Sequence, residues 1–132
     1  MIDELQSGIF DYGVANVAGL TSANFHHGEA PPAMDYPHVV FHGDASPFEW
    51  DSAIQIENAG VNFMVYGATQ AQVKTLAAAI STAFDFDVEK TIDCSPYGVR
   101  EVSRIQTVPA RQVGDTWVIN LIYVFIIEKA RS

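Results

Sequence analysis

The stretch from Trp117 to Ile127 constrains this chain more than any other. Read as a strand, it places Trp117, Ile119, Leu121, Tyr123, Phe125 and Ile127 on one face and Val118, Ile122, Val124 and Ile126 on the other. Successive strand side chains point to opposite sides, and Asn120 is the only polar break. A strand that is apolar on both faces needs cover on both. The rest of the sequence offers two helices as cover, so two arrangements stay open. The strand is either central, sandwiched by both helices and the remaining sheet, or part of its second face is covered by a neighbouring subunit, since monomers seldom expose apolar patches beyond a few hundred square ångströms.

The first of those helices is predicted from Ile2 towards Val17. Ile2, Leu5, Ile9 and Phe10 recur at helical spacing with Asp3, Glu4, Gln6 and Ser7 between them. Gly13, followed by the Gly-, Ser-, Thr- and Asn-bearing residues 19–28, predicts its end near Gly13 or shortly beyond. Residues 23–27 read as a short strand at best, and residues 29–37, with Pro31, Pro32 and Pro37, as a stiff loop. His38 to His42 reads as a short strand led by Pro37, and residues 43–52 as a polar connection carrying Phe48 and Trp50. Residues 54–66 form a long strand candidate whose alternation slips by one between Asn58 and Gly60, which a bulge or a tight turn would explain. Thr69 and Gln72 have capping-box spacing. Val73, Leu76, Ala77, Ile80 and Phe84 then mark the buried stripe of a second helix. After irregular residues 85–97, a strand is expected over 99–108 and a hairpin loop containing Gly114 over 109–115, with the final strand as partner.

A chain of 132 residues with 48% apolar content fits one domain, 1–132. It can bury roughly two-thirds of its unfolded surface without a disulfide or metal. Sixteen acidic residues against seven basic ones give a net charge of −9, and no cationic run tracks successive phosphates, which argues against tight nucleic-acid binding. Cys94 is the only cysteine, so no intrachain disulfide forms and a reducing compartment is expected. The N-terminus lacks a basic leader and no apolar run is long enough for a bilayer, so synthesis in the cytosol without membrane insertion is expected.

Reactive constellations are weak. His38 and His42 share a strand face about 13 Å apart, while His26 and His27 point to opposite faces, so neither pair closes on one metal ion. Asp93 beside Cys94 opposes thiolate formation. No nucleophile elbow, zinc-protease helix or phosphate loop is present. Asp85 with Asp87 and Asp35 with Glu29 read as solvated surface. The expectation is a protein that is not an enzyme, with no catalytic residue, metal or cofactor.

The order of these elements resembles the tail terminator, or tail-completion, proteins of long-tailed bacteriophages. The resemblance rests on the N-terminal helix, the Gly28-Glu-Ala-Pro31 loop, the Tyr36-Pro-His-Val-Val-Phe41 strand, the strand ending Val61-Asn-Phe-Met-Val-Tyr66, the alanine-rich helix and the terminal hairpin with Trp117. The slip at 58–60 and the stretch 85–97 depart from the family pattern. The resemblance implies an α+β fold, a mixed or antiparallel sheet with two main helices packed on it, in a single ring-forming domain. It implies a hexameric ring at the head-proximal end of the tail tube, in the virion neck, assembled in the host cytoplasm. Such a ring stops tube growth and joins the tube subunit to the head connector or adaptor, while DNA passes the lumen without specific binding. Six copies would carry −54, six times the chain's −9, which discourages DNA from sticking if the acids line the lumen.

On that reading the candidate contacts are Pro31, Pro32, Met34, Tyr36, Phe48, Trp50, Arg111, Gln112, Val113 and Trp117, with the exposed share of the last strand. The competing expectation is a small α+β ligand-binding protein or enzyme subunit, dimeric, with a pocket between sheet and helices lined by Tyr36, His38, Trp50 and Tyr66.

Overall fold

Capping and stripe, both local signals, set helix α2 (Gln70–Phe84) where the sequence places it. Thr69 Oγ1 accepts from Gln72 N at 3.2 Å, and Gln72 Oε1 reaches back to accept from Ala68 N at 2.8 Å, so two end-of-helix donors are satisfied reciprocally. Val73, Leu76, Ala77, Ile80 and Phe84 are all buried, joined by Ala83. The structure, a computed structural model, describes residues 2–28, 36–50, 54–85, 92 and 98–130.

Helix α1 (Ile2–Asn16) ends shortly beyond Gly13, as expected, so the glycine lies inside it. The reason is tertiary. A Cβ on Gly13 would stand 2.7 Å from Cε2 of Phe25, so the missing side chain lets the helix lie directly on the first strand. Gly13→Ala, normally worth up to about 1 kcal/mol of helix propensity, is therefore expected to destabilise by about 1–3 kcal/mol through overpacking, read by urea unfolding.

Among the described residues five strands follow the order β1-β2-β3-β5-β4 in one sheet: β1 (Phe25–His27), β2 (His38–Trp50), β3 (Ile54–Gly67), β4 (Gly98–Val113) and β5 (Thr116–Ala130). β1 pairs with β2 in parallel and every other pair is antiparallel, so the sheet is mixed and the fold α+β. Three sequence expectations are corrected. Residues 43–50 are not a connection but the second half of β2, with a register shift between Pro47 and Glu49 that absorbs the proline. No bulge interrupts β3 at 58–60, because its ladder with β5 runs in unbroken register from Ile54↔Ala130 to Gly67↔Trp117. Residues 109–113 extend β4, leaving only Gly114 and Asp115 as the turn between paired Val113 and Thr116. Gly114 has φ +63°, the positive value that the first position of a two-residue hairpin loop requires. Pro109 is tolerated because β4 is an edge strand and its register shifts there, between Val108 and Arg111.

Both helices pack on one face of the sheet. Leu5 and Ile9 of α1 and the stripe of α2 share one buried cluster with Val39, Phe41, Val61, Phe63, Val65, Ile119, Leu121, Tyr123, Phe125 and Ile127. Tyr12 ties the helices together, donating from its hydroxyl to Ala83 O at 2.8 Å. β5 lies between β3 and β4 and, with Val102 and Ile92 also buried in the cluster, its odd-numbered face is buried from Ile119 to Ile127. The even-numbered face looks away from both helices.

Candidate assembly surfaces

That second face answers the question raised by the two-faced final strand. On it Val118 and Asn120 are buried, while Ile122, Val124 and Ile126 remain half-exposed. The ladders give its cross-strand rows: His38, Tyr66, Val118 and Arg111; Val40, Met64, Asn120 and Val108; His42, Asn62, Ile122 and Gln106. Ile126 stands opposite Asn58 and Glu101, and Val124 opposite Gly60 and Ser103. A Cβ at Gly60 would meet nothing within 4 Å, so the surface is open beside Val124.

Polar groups organise the hairpin end of this face. Arg111 Nη1 donates to Asn120 Oδ1 at 2.9 Å, and Asn120 Nδ2 donates to Asn62 Oδ1 at 3.3 Å. Asn120, the one polar break in the apolar strand, is thus a buried amide used from both ends, as a buried polar group must be. Beside it Tyr36, His38 and Tyr66 stack in series, with ring centroids 5.3 and 5.0 Å apart. Tyr36 Oη and Thr116 Oγ1 share a hydrogen bond of 2.9 Å.

This stack brings together three of the four residues expected to line a ligand pocket, but on the side opposite the helices. The fourth, Trp50, pairs with Gln55 at the far end of β2, about 40 Å along the strand from His38. The three stacked rings therefore lie on the face away from the helices, with His38 buried between Tyr36 and Tyr66, and not in a pocket between sheet and helices. Among the described residues no group of three or more His, Cys, Asp or Glu is placed to hold a metal ion, and no described helix is long and apolar enough to cross a membrane.

The candidate contacts separate. Pro31, Pro32 and Met34 lie outside the described residues, as does Cys94. Phe48 and Trp50 sit in β2 rather than in a loop. Tyr36 and Val113 are exposed at 44% and 59%, and Arg111 and Gln112 are exposed beside the hairpin turn. Trp117 is half-buried and packs against the core, so only part of it is available to a partner. The sequence reading pointed to the second face of the last strand, but not to the β2 and β3 residues that stand beside it. Asn62 shares an amide pair with Asn120 that only the β3–β5 pairing reveals.

Two grooves lie beside the helices. One, about 420 Å³, is lined by Gln6, Ser7, Phe10, Asp11, His27 and Phe41, and the other, about 350 Å³, lies between residues 18–19, Pro37 and the start of α2.

No protein-family model matches the chain, and no curated protein matches it. Among solved structures the chain is similar to one described as the virion of a native gene transfer agent (GTA) particle. The TM-score is 0.75 with 19% identity, over 94% of this chain and 94% of that one. The two share their fold from end to end.

Proposed function

We propose that this chain is a structural subunit of a virion, working through binding surfaces, and that it forms the ring that closes the tail tube and joins it to the head. The observation that carries this reading is the near-complete two-way overlap with a chain of a virion particle, 94% of each. The element order, which resembles that of tail terminators, supports this position within the particle. The architecture suits the role: strands of 14 and 15 residues at the sheet centre reach about 45–50 Å, whereas the helices span about 22 Å. Among the described residues, Ile122, Val124 and Ile126 on one sheet face and the exposed Arg111, Gln112 and Val113 of the β4–β5 hairpin are the surfaces offered to tube, connector and neighbouring copies.

Deleting the gene tests the proposal by electron microscopy of the particles. The expected result is tail tubes of uncontrolled length and heads without joined tails, with the wild-type protein labelled at the neck. Tails of normal length, joined to heads in particles free of the protein, would sink it. Annular oligomers of the purified protein are expected at high concentration, six copies to a ring.

A further inference from the structure

We propose that the hairpin end of the even-numbered sheet face recognises a carboxylate on a protein other than this chain, with Arg111 as the receiving group, held in place by the amides of Asn120 and Asn62. The inference rests on the reading of this face as an assembly surface, and not on where in a particle the subunit sits.

The direction of the hydrogen-bond chain follows from what each group can do. A guanidinium donates and cannot accept, so Asn120 must turn Oδ1 towards Arg111 Nη1, at 2.9 Å, which leaves its Nδ2 to donate to Asn62 Oδ1, at 3.3 Å. With its oxygen engaged, Asn62 shows its own Nδ2 to the far side. Both ends of the chain therefore present N–H groups, those of Asn62 and the remaining ones of Arg111, and an acceptor is what completes it. Asn120 is 7% exposed and interrupts an otherwise apolar strand, a costly place for an amide. What the amide does there is hold an exposed Arg side chain in one position, which lowers the ordering cost of any contact that Arg111 makes.

The charge of Arg111 is also unanswered. Among the described residues the one ion pair joins Arg104 to Asp85, and the bond from Arg111 to Asn120 is made to a neutral amide. The three rows of the face nearest the hairpin, from His38 and Arg111 to His42 and Gln106, hold no carboxylate, while Glu101 stands at the other end opposite Ile126. A guanidinium held on such a face is set to take a carboxylate in the paired geometry that its fork matches. Tyr36 is held at the same end. Its ring stacks on His38 and its hydroxyl meets Thr116, one row from Arg111, yet it stays 44% exposed. Tyr and Arg are the residue types enriched among those that dominate binding energy at interfaces.

The same face selects the kind of partner. Ile122, Val124 and Ile126 continue it half-exposed and call for apolar cover, which a phosphate backbone does not give. The guanidinium of Arg111 on a chain of −9 is also far from the cationic track that successive phosphates require. A second copy would set −9 against −9 across this contact. What fits is a different protein that carries an Asp or Glu beside an apolar patch, so that the carboxylate meets Arg111 while the patch covers Ile122 and Val124.

Arg111→Lys lets the contact be captured without a spacer. A carbodiimide joins a lysine amine to a carboxylate in contact with it, forming an amide while the reagent leaves as a urea carrying the carboxylate oxygen. The variant is treated in freshly lysed producing cells and in purified particles, and mass spectrometry is expected to find residue 111 joined to one Asp or Glu of a different protein. Adding Asn120→Leu should lower the yield of that link about three- to tenfold. Its melting temperature should stay at or above that of the parent, since an apolar group replaces a buried amide whose partners still reach water. If that variant fails to fold, Asn62→Ala at a half-exposed position should lower the yield in the same direction. Reversing the linked acid to Lys should weaken association about tenfold or more, and Arg111→Glu should restore it. A link to an acid of its own chain or of a second copy, or no link in either sample, would overturn the proposal. So would release of bound DNA by Arg111→Glu, which would make phosphate the occupant. An unchanged yield in Asn120→Leu would overturn the part given to the amides. Particles that hold the protein with residue 111 unlinked would overturn the contact and leave the virion role standing. The link found in lysate, with particles that lack the protein, would do the reverse.

Discussion

Replacing Phe63 with alanine is expected to cost the fold about 3–5 kcal/mol, the range for emptying an aromatic site in a core. Phe63 is fully buried at the hub of a ring cluster, with centroids 5.0 Å from Phe84, 5.6 Å from Tyr123, 6.0 Å from Phe41 and 6.3 Å from Phe25. These partners come from α2, β5, β2 and β1, so the void opens where nearly every layer of the molecule meets. Partners anchored in four elements cannot collapse onto it together, which places the cost near the top of the range. Domains of this size hold only about 5–15 kcal/mol in total. The urea midpoint should fall steeply with little change in slope, and the melting temperature by about 10 °C or more. A loss below about 1.5 kcal/mol would show that the rings close over the gap and that the cluster is less fixed than its geometry implies.

What the sequence made legible was what neighbouring residues decide among themselves. The Thr69 cap and the stripe of α2 are local, and so is the alternation of β5, and all three are found as read. The errors share one cause, which is that contacts distant in sequence overrule local signals. Gly43 and Pro47 read as a connection, yet β3 pairs with β2 throughout and a shift at Pro47 accommodates the ring. Pro109 reads as a loop, yet among the described residues β4 is an edge strand whose register shifts there, so its missing donor is tolerated. The candidate surfaces were legible only in part for the same reason. That the last strand had an excess of apolar surface was plain, and the structure shows the excess as the half-exposed Ile122, Val124 and Ile126. The chain from Arg111 through Asn120 to Asn62 gave no signal, because it exists only through the pairing of β5 with β3 and β4.

Tyr123→Phe, the second large effect, should cost about 1–2 kcal/mol at neutral pH and change how the protein responds to alkali. The Tyr123 hydroxyl donates to Asp85 Oδ1 at 2.7 Å, while Arg104 holds Oδ2 at 3.1 Å and donates to Ser81 Oγ at 2.8 Å. Asp85 also caps α2, donating its backbone N to Ser81 O. The cluster thus joins the end of the helix to β5 and the edge strand β4. A hydrogen bond to a charged group is worth about 1.5–3 kcal/mol, and the estimate here is lower because Asp85 and Arg104 are each about a third exposed and solvent can replace part of the interaction. Burial pushes the Tyr123 phenol well above its ordinary value of 10.0, and the hydrogen bond and charge of Asp85 push it further the same way. The folded state therefore keeps its proton at a pH where the unfolded chain has lost it. The contribution is whole below about pH 10 and declines above it, by up to about 1.4 kcal/mol per pH unit. Tyr12, raised in the same direction by burial, retains a share of the alkaline sensitivity in the variant. Unfolding measured from pH 8 to 11 should show a shallower decline for Tyr123→Phe than for the wild type, so that the two stabilities converge as pH rises. Parallel curves would mean that the phenol ionises alike in both states, and that its bond to Asp85 is not kept in solution.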